Sequence, residues 1–337
     1  MKVLYVGQYG EGGTSRMRGE RLRRLLAPDS FQVIDIERAL HDHSRLVRSL
    51  GWRFHTGPMV SAVNRFIREQ ATGDYDLLWV DKGNFIGPAT VGAIRAKRRI
   101  HYTPDTAIVF NRSAHFFHSI PVYDYCITTK SFEIEGYRTK GARSVLFCTQ
   151  GYDPDVHRPY TPFGQKEGAV FVGLWEEGKE RPLALLLEAK IKVTLAGAQW
   201  ERFVRRYRNN PLLCYRGTGV FGGEYARLLS GARVGLGLLS KRFPELHTTR
   251  TIEIPACGTA MAGERNNDTR NIFSEEQALL FSDDNELLEK VRRALADDDY
   301  CRQVTEAGSH RIREGGFDYS SILKNLFFQM NLIIKAI

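Results

Sequence analysis

Short apolar runs of strand length alternate with helix-length segments along most of this chain. The run Asp76–Asp81 (DLLWVD) is almost continuously apolar between acidic ends, which is typical of a parallel strand buried on both faces. Lys2–Val6, Phe31–Ile36 and Arg99–Tyr102 are further strand candidates, whereas Met59–Glu69 and Gly87–Lys97 have the pattern of helices. The alternation predicts a doubly wound parallel sheet of the α/β class.

The second half of the chain repeats this alternation. A chain of 337 residues is long enough for two domains of ordinary size. The segment 151–160 (GYDPDVHRPY) contains one glycine, two prolines and three charges, the composition of a linker. It predicts domains at 1–160 and 161–318, followed by a terminal segment at 319–337. The predicted strands of the second domain are Gly168–Gly173, Lys192–Gly197, Arg233–Leu239, Thr259–Ala262 and Ala278–Phe281.

The terminal segment has a continuous apolar face at helical spacing. Such a face requires a partner, either the first domain or a membrane surface. Only Lys324 and Lys335 flank the face, and two charges are few for binding to anionic lipid. The face comprises Leu323, Phe327, Met330, Ile334 and Ile337, widened by Phe328, Leu332 and Ile333.

Composition excludes several classes of protein. No apolar run approaches the roughly 20 residues that span a bilayer, and the glycine-broken N-terminus does not have the pattern of a signal peptide. The five cysteines are scattered and odd in number, which indicates buried thiols in a reducing compartment. The nine histidines show no ligand spacing. We therefore expect a cytoplasmic protein without a bound metal or cofactor.

The positive charge is unevenly distributed. Residues 1–160 contain 23 Lys and Arg against 16 Asp and Glu, whereas residues 161–337 contain 25 against 23. A basic N-terminal half suggests an anionic partner, namely an acidic acceptor, a phosphorylated lipid carrier or the membrane surface; a merely soluble basic surface remains the alternative. No basic stripe with interleaved aromatics supports nucleic-acid binding. The oligomeric state is left open.

The segment 245–263 (ELHTTRTIEIPACGTAMAG) has the most informative order of residues. It follows a predicted strand and predicts the start of a helix, whose free N–H groups bind phosphate. Arg250 offers a planar fork for a phosphate. Glu253, almost one turn later, is suited to accept from the two hydroxyls of a ribose. The alternative is an ordinary surface helix with a salt bridge between Arg250 and Glu253.

A resemblance to a known family favours the first interpretation. Glu245 and Glu253 have seven residues between them, the spacing of retaining GT-B glycosyltransferases. The segment 248–273 (TTRTIEIPACGTAMAGERNNDTRNIF), followed by 283–291 (DDNELLEKV), resembles the CgeB-like (spore maturation protein) glycosyltransferases. The similarity covers roughly residues 100 to 325. It implies two Rossmann-like domains that face a cleft, with the C-terminal helix crossing back to the first domain.

The resemblance implies acceptor-binding residues in the first domain. The glycine loop after the first strand would line the cleft. Asp105 follows the strand Arg99–Tyr102, and ligands gather beyond the carboxyl ends of parallel strands. Asp105 is therefore the candidate for contacting or deprotonating the acceptor hydroxyl; capping of the next helix is the alternative. The loop residues are Gly12, Gly13, Thr14, Ser15 and Arg16.

In the second domain the resemblance implies a donor site. Lys179 and Arg181, near Gly173, would reach the diphosphate, with Arg181 preferred because it is predicted to precede a helix directly. Gly217–Val220 would lie against the nucleobase. Glu245 would lie nearer the sugar, although the sequence lacks the usual glycine-rich turn after it. The backbone of His247, Thr248 and Thr249 would assist Arg250 at the phosphates.

Together these features predict a glycosyltransferase that uses a nucleotide-diphosphate sugar and a hydroxyl acceptor, without a metal, in cell-surface or spore polysaccharide synthesis. Two alternatives remain open. A sugar-nucleotide 2-epimerase shares the fold and the donor site, and a non-catalytic scaffold retains the fold without turnover.

Overall fold

The computed structural model describes residues 1–332. The chain divides into two compact units. Unit 1 consists of residues 1–149 together with the segment from residue 320 onward, and unit 2 consists of residues 150–319. The division lies at 149/150 and not at the predicted 160, because the amide of Tyr152 donates to Phe317 and its carbonyl accepts from Tyr319. These bonds hold the glycine- and proline-containing segment within unit 2.

Unit 1 is built on a parallel sheet with strand order β2-β1-β3-β4-β5-β6. Val3–Val6 of the first strand are fully buried, as are Leu78 and Trp79 of the third, because helices cover both faces of the sheet. The strands are β1 (Lys2–Gly7), β2 (Ser30–Asp35), β3 (Asp74–Asp81), β4 (Arg95–Thr103), β5 (Tyr125–Thr128) and β6 (Val145–Phe147). The helices are α1 (Thr14–Leu26), α2 (Glu37–His41), α3 (Arg45–Phe54), α4 (Pro58–Gln70), α5 (Pro88–Ala93), α6 (Ala114–Ser119), α7 (Ile134–Thr139) and α15 (Tyr319–Gln329).

Helix α15 packs on the sheet of unit 1, as the sequence predicts. Its residues Leu323 and Phe327 join the cluster that contains Trp79, and the rings of Phe327 and Trp79 stack at 6.3 Å. Phe328, in contrast, is 81% exposed, so its assignment to the apolar face is wrong. Ile333, Ile334 and Ile337 lie outside the described residues.

Unit 2 repeats the architecture with strand order β12-β11-β10-β7-β8-β9, again all parallel. Both predicted doubly wound domains are therefore confirmed. The strands are β7 (Ala169–Val172), β8 (Val193–Ala196), β9 (Leu213–Tyr215), β10 (Val234–Gly237), β11 (Ala260–Glu264) and β12 (Leu279–Phe281). The helices are α8 (Glu177–Glu188), α9 (Glu201–Arg206), α10 (Gly222–Ser230), α11 (Thr249–Ala256), α12 (Asn267–Ile272), α13 (Asp284–Ala296) and α14 (Asp298–Glu314).

Within residues 1–332, no helix combines the length and apolar character needed to cross a bilayer.

Candidate functional site

Three glycines meet at the carboxyl ends of the strands of unit 2. Gly173 follows β7, Gly197 follows β8 and Gly217 lies just beyond β9. The amide of Gly173 donates to Ala196 at 2.9 Å, and that of Gly197 donates to Gly217 at 2.8 Å. A Cβ on Gly197 would lie 1.9 Å from the carbonyl oxygen of Gly173. Bare backbone is therefore required at this edge, where ligands of parallel sheets bind.

Arg250 lies across the same edge. It is the second residue of α11, and its Nη2 donates to the carbonyl of Leu238, just after β10, at 3.4 Å. The guanidinium carbon is 5.3 Å from the ring centroid of Phe171, and Nη1 lies against Gly173. Nε is buried and has no hydrogen-bond partner within the described residues. The fork of donors thus lies beside the N–H groups of a helix start, an arrangement suited to an anion.

Lys179 adds a second cation to this edge. Its side chain is 9% exposed, and Nζ lies 3.0 Å from Oε2 of Glu176. Burial and the charge of Arg250 lower the pKa of Lys179, although Glu176 opposes the shift. Both cations lie at the loop after β10, since Arg250 donates to the Leu238 carbonyl and Glu176 joins Lys179 to Ser240. An anionic ligand placed between them relieves their mutual repulsion.

Glu176 is a residue that the sequence reasoning missed. Its Oε1 accepts from the Ser240 hydroxyl at 2.7 Å and from the Lys241 amide at 2.9 Å. Burial alone would raise the pKa of Glu176, but hydrogen bonds from Ser240, Lys179 and Lys241 lower it. The carboxylate therefore connects Lys179 to the loop after β10. Its position between a strand and a helix was the available signal.

Arg181 is not placed as the sequence predicts. Helix α8 begins at Glu177, so Arg181 lies inside the helix and does not precede it. Proline is typical of the first turn of a helix, but Pro182 lies inside α8. The Arg181 side chain is 84% exposed and pairs with Asp284 at 2.7 Å. Lys179 and not Arg181 is therefore connected, through Glu176, to the loop after β10.

Glu253 is buried on α11, with 2% of its surface exposed. The Tyr225 hydroxyl donates to Oε2 at 2.7 Å, and Nε2 of His157 lies 3.6 Å from Oε1. Oε1 has no hydrogen-bond partner within the part of the chain that the structure describes. The same range shows no salt bridge between Arg250 and Glu253, which contradicts the surface-helix alternative. One carboxylate oxygen is thus held by Tyr225, while the other accepts no hydrogen bond.

His247 connects the loop before α11 to its neighbours. Its Nε2 accepts from the Gln150 amide at 3.3 Å, and its Nδ1 lies 2.7 Å from Oδ2 of Asp268. Because Nε2 accepts, Nδ1 carries the proton and donates to Asp268. The imidazole is therefore occupied with positioning the loop. Thr248 and Thr249 follow directly, at the helix start.

The remaining predicted donor residues are dispersed around this edge. Oε2 of Glu245 accepts from the Ser240 amide at 3.0 Å, which places this half-buried carboxylate at the same loop as Glu176. Gly217 has a positive φ of 87° with open space around it, as a close backbone approach requires. The Val220 side chain is 7% exposed and packs in the core, so only its backbone is available to a ligand.

In unit 1 the glycine loop precedes α1. Gly12 has a φ of 73°, and the amide of Gly13 donates to Gly10 at 3.2 Å. Helix α1 then begins at Thr14. The Ser15 hydroxyl lies 3.1 Å from that of Tyr5 and is buried. The Arg16 guanidinium lies 5.9 Å from the ring centroid of Tyr9.

Asp105 lies beyond β4 and pairs with Lys82, with 2.9 Å between Nζ and Oδ2. Partial desolvation opposes the shift, but Lys82, Lys130 and Arg18 lower the pKa of the half-exposed Asp105. A carboxylate held ionised in this way is a weak base at neutral pH. The ion pair therefore suits Asp105 to accept a hydrogen bond rather than to take up a proton. Sequence reasoning missed Lys82, which has a φ of 68° directly after β3.

Comparisons with known proteins agree with this architecture. Residues 180–327 match a family model described as "Glycosyl transferase-like". A search of curated protein sequences gave no match.

Among solved structures, sucrose-phosphate synthase from Thermosynechococcus elongatus superposes with a TM-score of 0.67 at 16% identity, covering 98% of this chain and 99% of the other. Anabaena Alr3699/HepE in complex with UDP and glucose gives 0.65 at 14%, with coverages of 98% and 99%. An α,α-trehalose-phosphate synthase from Burkholderia xenovorans in complex with glucose-6-phosphate gives 0.66 at 10%, with coverages of 98% and 100%. The fold is therefore the GT-B fold.

Proposed function

We propose that this chain is a glycosyltransferase that moves a sugar from a nucleotide-diphosphate donor to a hydroxyl acceptor. The observation that carries the proposal is the placement of Arg250, at the start of α11, against Gly173 and the Leu238 carbonyl. The buried Lys179 is joined to the same loop through Glu176. The match to a glycosyl transferase-like model over residues 180–327 supports it. So does the description of a solved neighbour in complex with UDP-glucose.

The two cations suit the chemistry of the donor. When the sugar is transferred, the bond between the anomeric carbon and the diphosphate breaks, and negative charge develops on the departing phosphate oxygen. Lys179, Arg250 and the N–H groups at the start of α11 form a fixed positive environment for this charge. We therefore propose a reaction that requires no divalent metal, since these groups supply the positive charge.

Glu253 is assigned to the ribose of the donor. Its Oε1 accepts no hydrogen bond within the described residues, and it lies on the same short helix as Arg250. A carboxylate about one turn beyond the phosphate-binding residue accepts from a ribose hydroxyl while Tyr225 holds its other oxygen. A buried acceptor without a donor carries a desolvation cost that a bound ribose removes.

Acceptor binding is assigned to unit 1. Asp105 and its partner Lys82 lie where the strands of that unit end. The glycine loop before α1 begins where β1 ends, at the same edge of the sheet. The positive charge of unit 1 favours an anionic or membrane-borne acceptor. This proposal includes a role in cell-surface or spore polysaccharide synthesis, membership of the CgeB-like family and a cytoplasmic location.

The first test is calorimetric titration with UDP, GDP, dTDP, ADP and CMP. We expect one diphosphate to bind in the presence of EDTA. Arg250→Ala should weaken it about 10- to 100-fold, since a hydrogen bond to a charged group contributes about 1.5–3 kcal/mol. Glu253→Gln should weaken the binding of the same nucleotide. Arg181→Ala is the matched control, because this arginine is exposed and paired elsewhere.

Analysis of the products with the corresponding sugar nucleotide then separates the functions. Transfer to an added acceptor supports the proposal. An epimerised sugar nucleotide identifies the epimerase, and binding without turnover identifies a scaffold. If no nucleotide binds, or if the Arg250 variant binds as tightly as the wild type, the donor site is misassigned.

A further inference from the structure

Unit 1 carries a surface patch that the proposed function does not use. Within residues 1–149, six of the seven large apolar side chains that are exposed lie on α3 and on the loop before Arg112. Most soluble surfaces expose such residues singly. The apolar patch consists of Leu46 (77% exposed), Leu50 (56%), Trp52 (46%), Phe54 (60%), Val109 (37%) and Phe110 (49%).

The packing of α3 determines which side chains face outward. Val47 packs on the core of unit 1. Gly51 is buried so tightly that a Cβ would lie 2.5 Å from Cε of Met59. Leu46, Leu50 and Phe54, spaced four residues apart, therefore form a stripe along a different side of the helix. The stripe is a consequence of how the helix is anchored.

The loop that contributes Val109 and Phe110 adjoins the end of α3. Burial lowers the pKa of His55, the residue after the helix, although the adjacent backbone of Arg112 opposes the shift. Nε of Arg112 in turn donates to the carbonyl of Val109 at 2.9 Å. The loop therefore lies beside the end of α3, and the apolar patch comprises the exposed side chains of both.

The charge around the patch is positive. Residues 43–68 contain five arginines and no Asp or Glu, with Asp42 and Glu69 at the two ends. Of these arginines, Arg45 and Arg53 are exposed on α3 itself. Unit 1 as a whole holds 24 Lys and Arg against 14 Asp and Glu, a net charge of +10, whereas unit 2 holds 24 against 25, a net charge of −1. The positive charge of the chain thus resides in the unit that bears the patch.

We propose that the apolar patch docks unit 1 on an anionic lipid bilayer. Helices that lie in the membrane interface combine leucine and aromatic side chains on one face with arginine or lysine beside them. The apolar side chains insert among the acyl chains, while Arg45 and Arg53 meet the lipid phosphates. The absence of carboxylates along residues 43–68 favours a uniformly anionic surface over a protein partner of mixed charge.

The test is co-sedimentation of the full chain with vesicles of phosphatidylcholine, with and without phosphatidylglycerol. We expect binding to the anionic vesicles, weakened by added salt because the attraction is screened. Leu50→Glu/Phe54→Glu should reduce partitioning about a hundredfold through lost apolar burial. Arg45→Gln/Arg53→Gln should reduce partitioning about 30-fold, since each arginine near an anionic surface strengthens binding by a factor of about five.

Phe328→Glu is the matched control, because this exposed phenylalanine lies on α15, outside the patch. Thermal melting of every variant establishes that it is folded. Equal binding to neutral vesicles, no binding to either kind, or loss of binding in the Phe328 variant alone would overturn the proposal. Sedimentation of the protein without vesicles tests whether the patch binds a second copy of the chain instead. A wild-type dimer that is lost in the Leu50/Phe54 variant would assign the patch to that contact and overturn the proposal.

Discussion

The ammonium of Lys179 lies 3.0 Å from the carboxylate of Glu176, and less than a tenth of either side chain is exposed. Glu176 also accepts from Ser240 and Lys241, so this ion pair joins the start of α8 to the loop after β10. Because burial and the nearby Arg250 both lower the pKa of Lys179, the free protein holds this cation at a cost. The proposed diphosphate would reduce that cost.

The first prediction separates Lys179 from Arg181. Lys179→Met should weaken binding of the nucleoside diphosphate about 10- to 100-fold, because a buried charged hydrogen bond is lost, whereas Arg181→Met should leave the affinity unchanged. Calorimetric titration measures both. Removing the lysine also deprives Glu176 of its nearer cation and leaves it with Arg242, whose Nε lies 3.8 Å from Oε1. Glu176→Gln/Lys179→Met therefore serves as a second variant with the same expected loss. Equal affinities in the Lys179 and Arg181 variants would contradict this assignment.

The strands were largely predictable from sequence because their burial leaves a clear pattern. Asp76–Asp81 was recognised as a strand since both of its faces are covered. The helix predicted at Gly87–Lys97, in contrast, is correct only in its first half: α5 ends at Ala93, and β4 begins at Arg95. Ion pairs from Arg95 and Lys97 to β3 stabilise this exposed half of the strand, and no periodicity in the sequence reveals them.

The candidate site was only partly predictable for a related reason. Arg250 and Gly173 stood out because a helix start and a strand end have local signatures. Glu176 and Lys82 occupy comparable positions, but their importance depends on partners brought to them by folding. Similarly, α3 contacts the core through Val47 and Gly51. Because glycine is not a large apolar residue, the pattern of apolar residues does not identify the buried side of this helix.

The second prediction concerns Gly197. Its φ is 133°, and a Cβ would meet the carbonyl of Gly173 at 1.9 Å. Gly197→Ala should lower the free energy of unfolding by about 3 kcal/mol through overpacking and backbone strain. It should also weaken nucleotide binding, because the displaced backbone lines the site. Denaturant unfolding and titration measure the two effects.

Gly164→Ala is the control for this substitution, since its Cβ meets nothing within 4 Å and its φ is not positive. A Gly197 variant with the stability and affinity of the Gly164 variant would show that the two strand ends are not in close contact.

The third prediction addresses the buried pair of unit 1. Nε and Nη2 of Arg18 donate to the two carboxylate oxygens of Asp81, each at 2.9 Å, and the side chains are 2% and 0% exposed. Asp81→Asn should cost about 3–5 kcal/mol of stability, because it leaves a buried charge uncompensated. Arg18→Met/Asp81→Asn should cost less than the sum of the single changes. Urea unfolding of the four proteins measures the coupling; additive costs would mean that the two groups act independently.

The last prediction follows from His101, which is buried among the rings of Phe116, Tyr123 and Tyr137. Burial lowers its pKa to about 4, although the hydrogen bond from its Nε2 to the carbonyl of Lys82 opposes the shift. Between about pH 6.5 and pH 4 the unfolded chain therefore takes up a proton that the folded chain does not. Stability should fall as the pH falls through this window, by up to about 3 kcal/mol from this group.

His101→Phe should flatten that part of the stability profile, because no imidazole remains to be protonated on unfolding. Urea unfolding at several pH values between 4 and 7 compares the slopes of the two proteins. The variant also loses the hydrogen bond to Lys82, so its stability at neutral pH decreases, but this loss does not change with pH. His118→Asn removes an exposed imidazole and should retain the slope of the wild type. If His101→Phe retains that slope as well, the imidazole is protonated in the folded protein and its burial does not determine the acid sensitivity of unit 1.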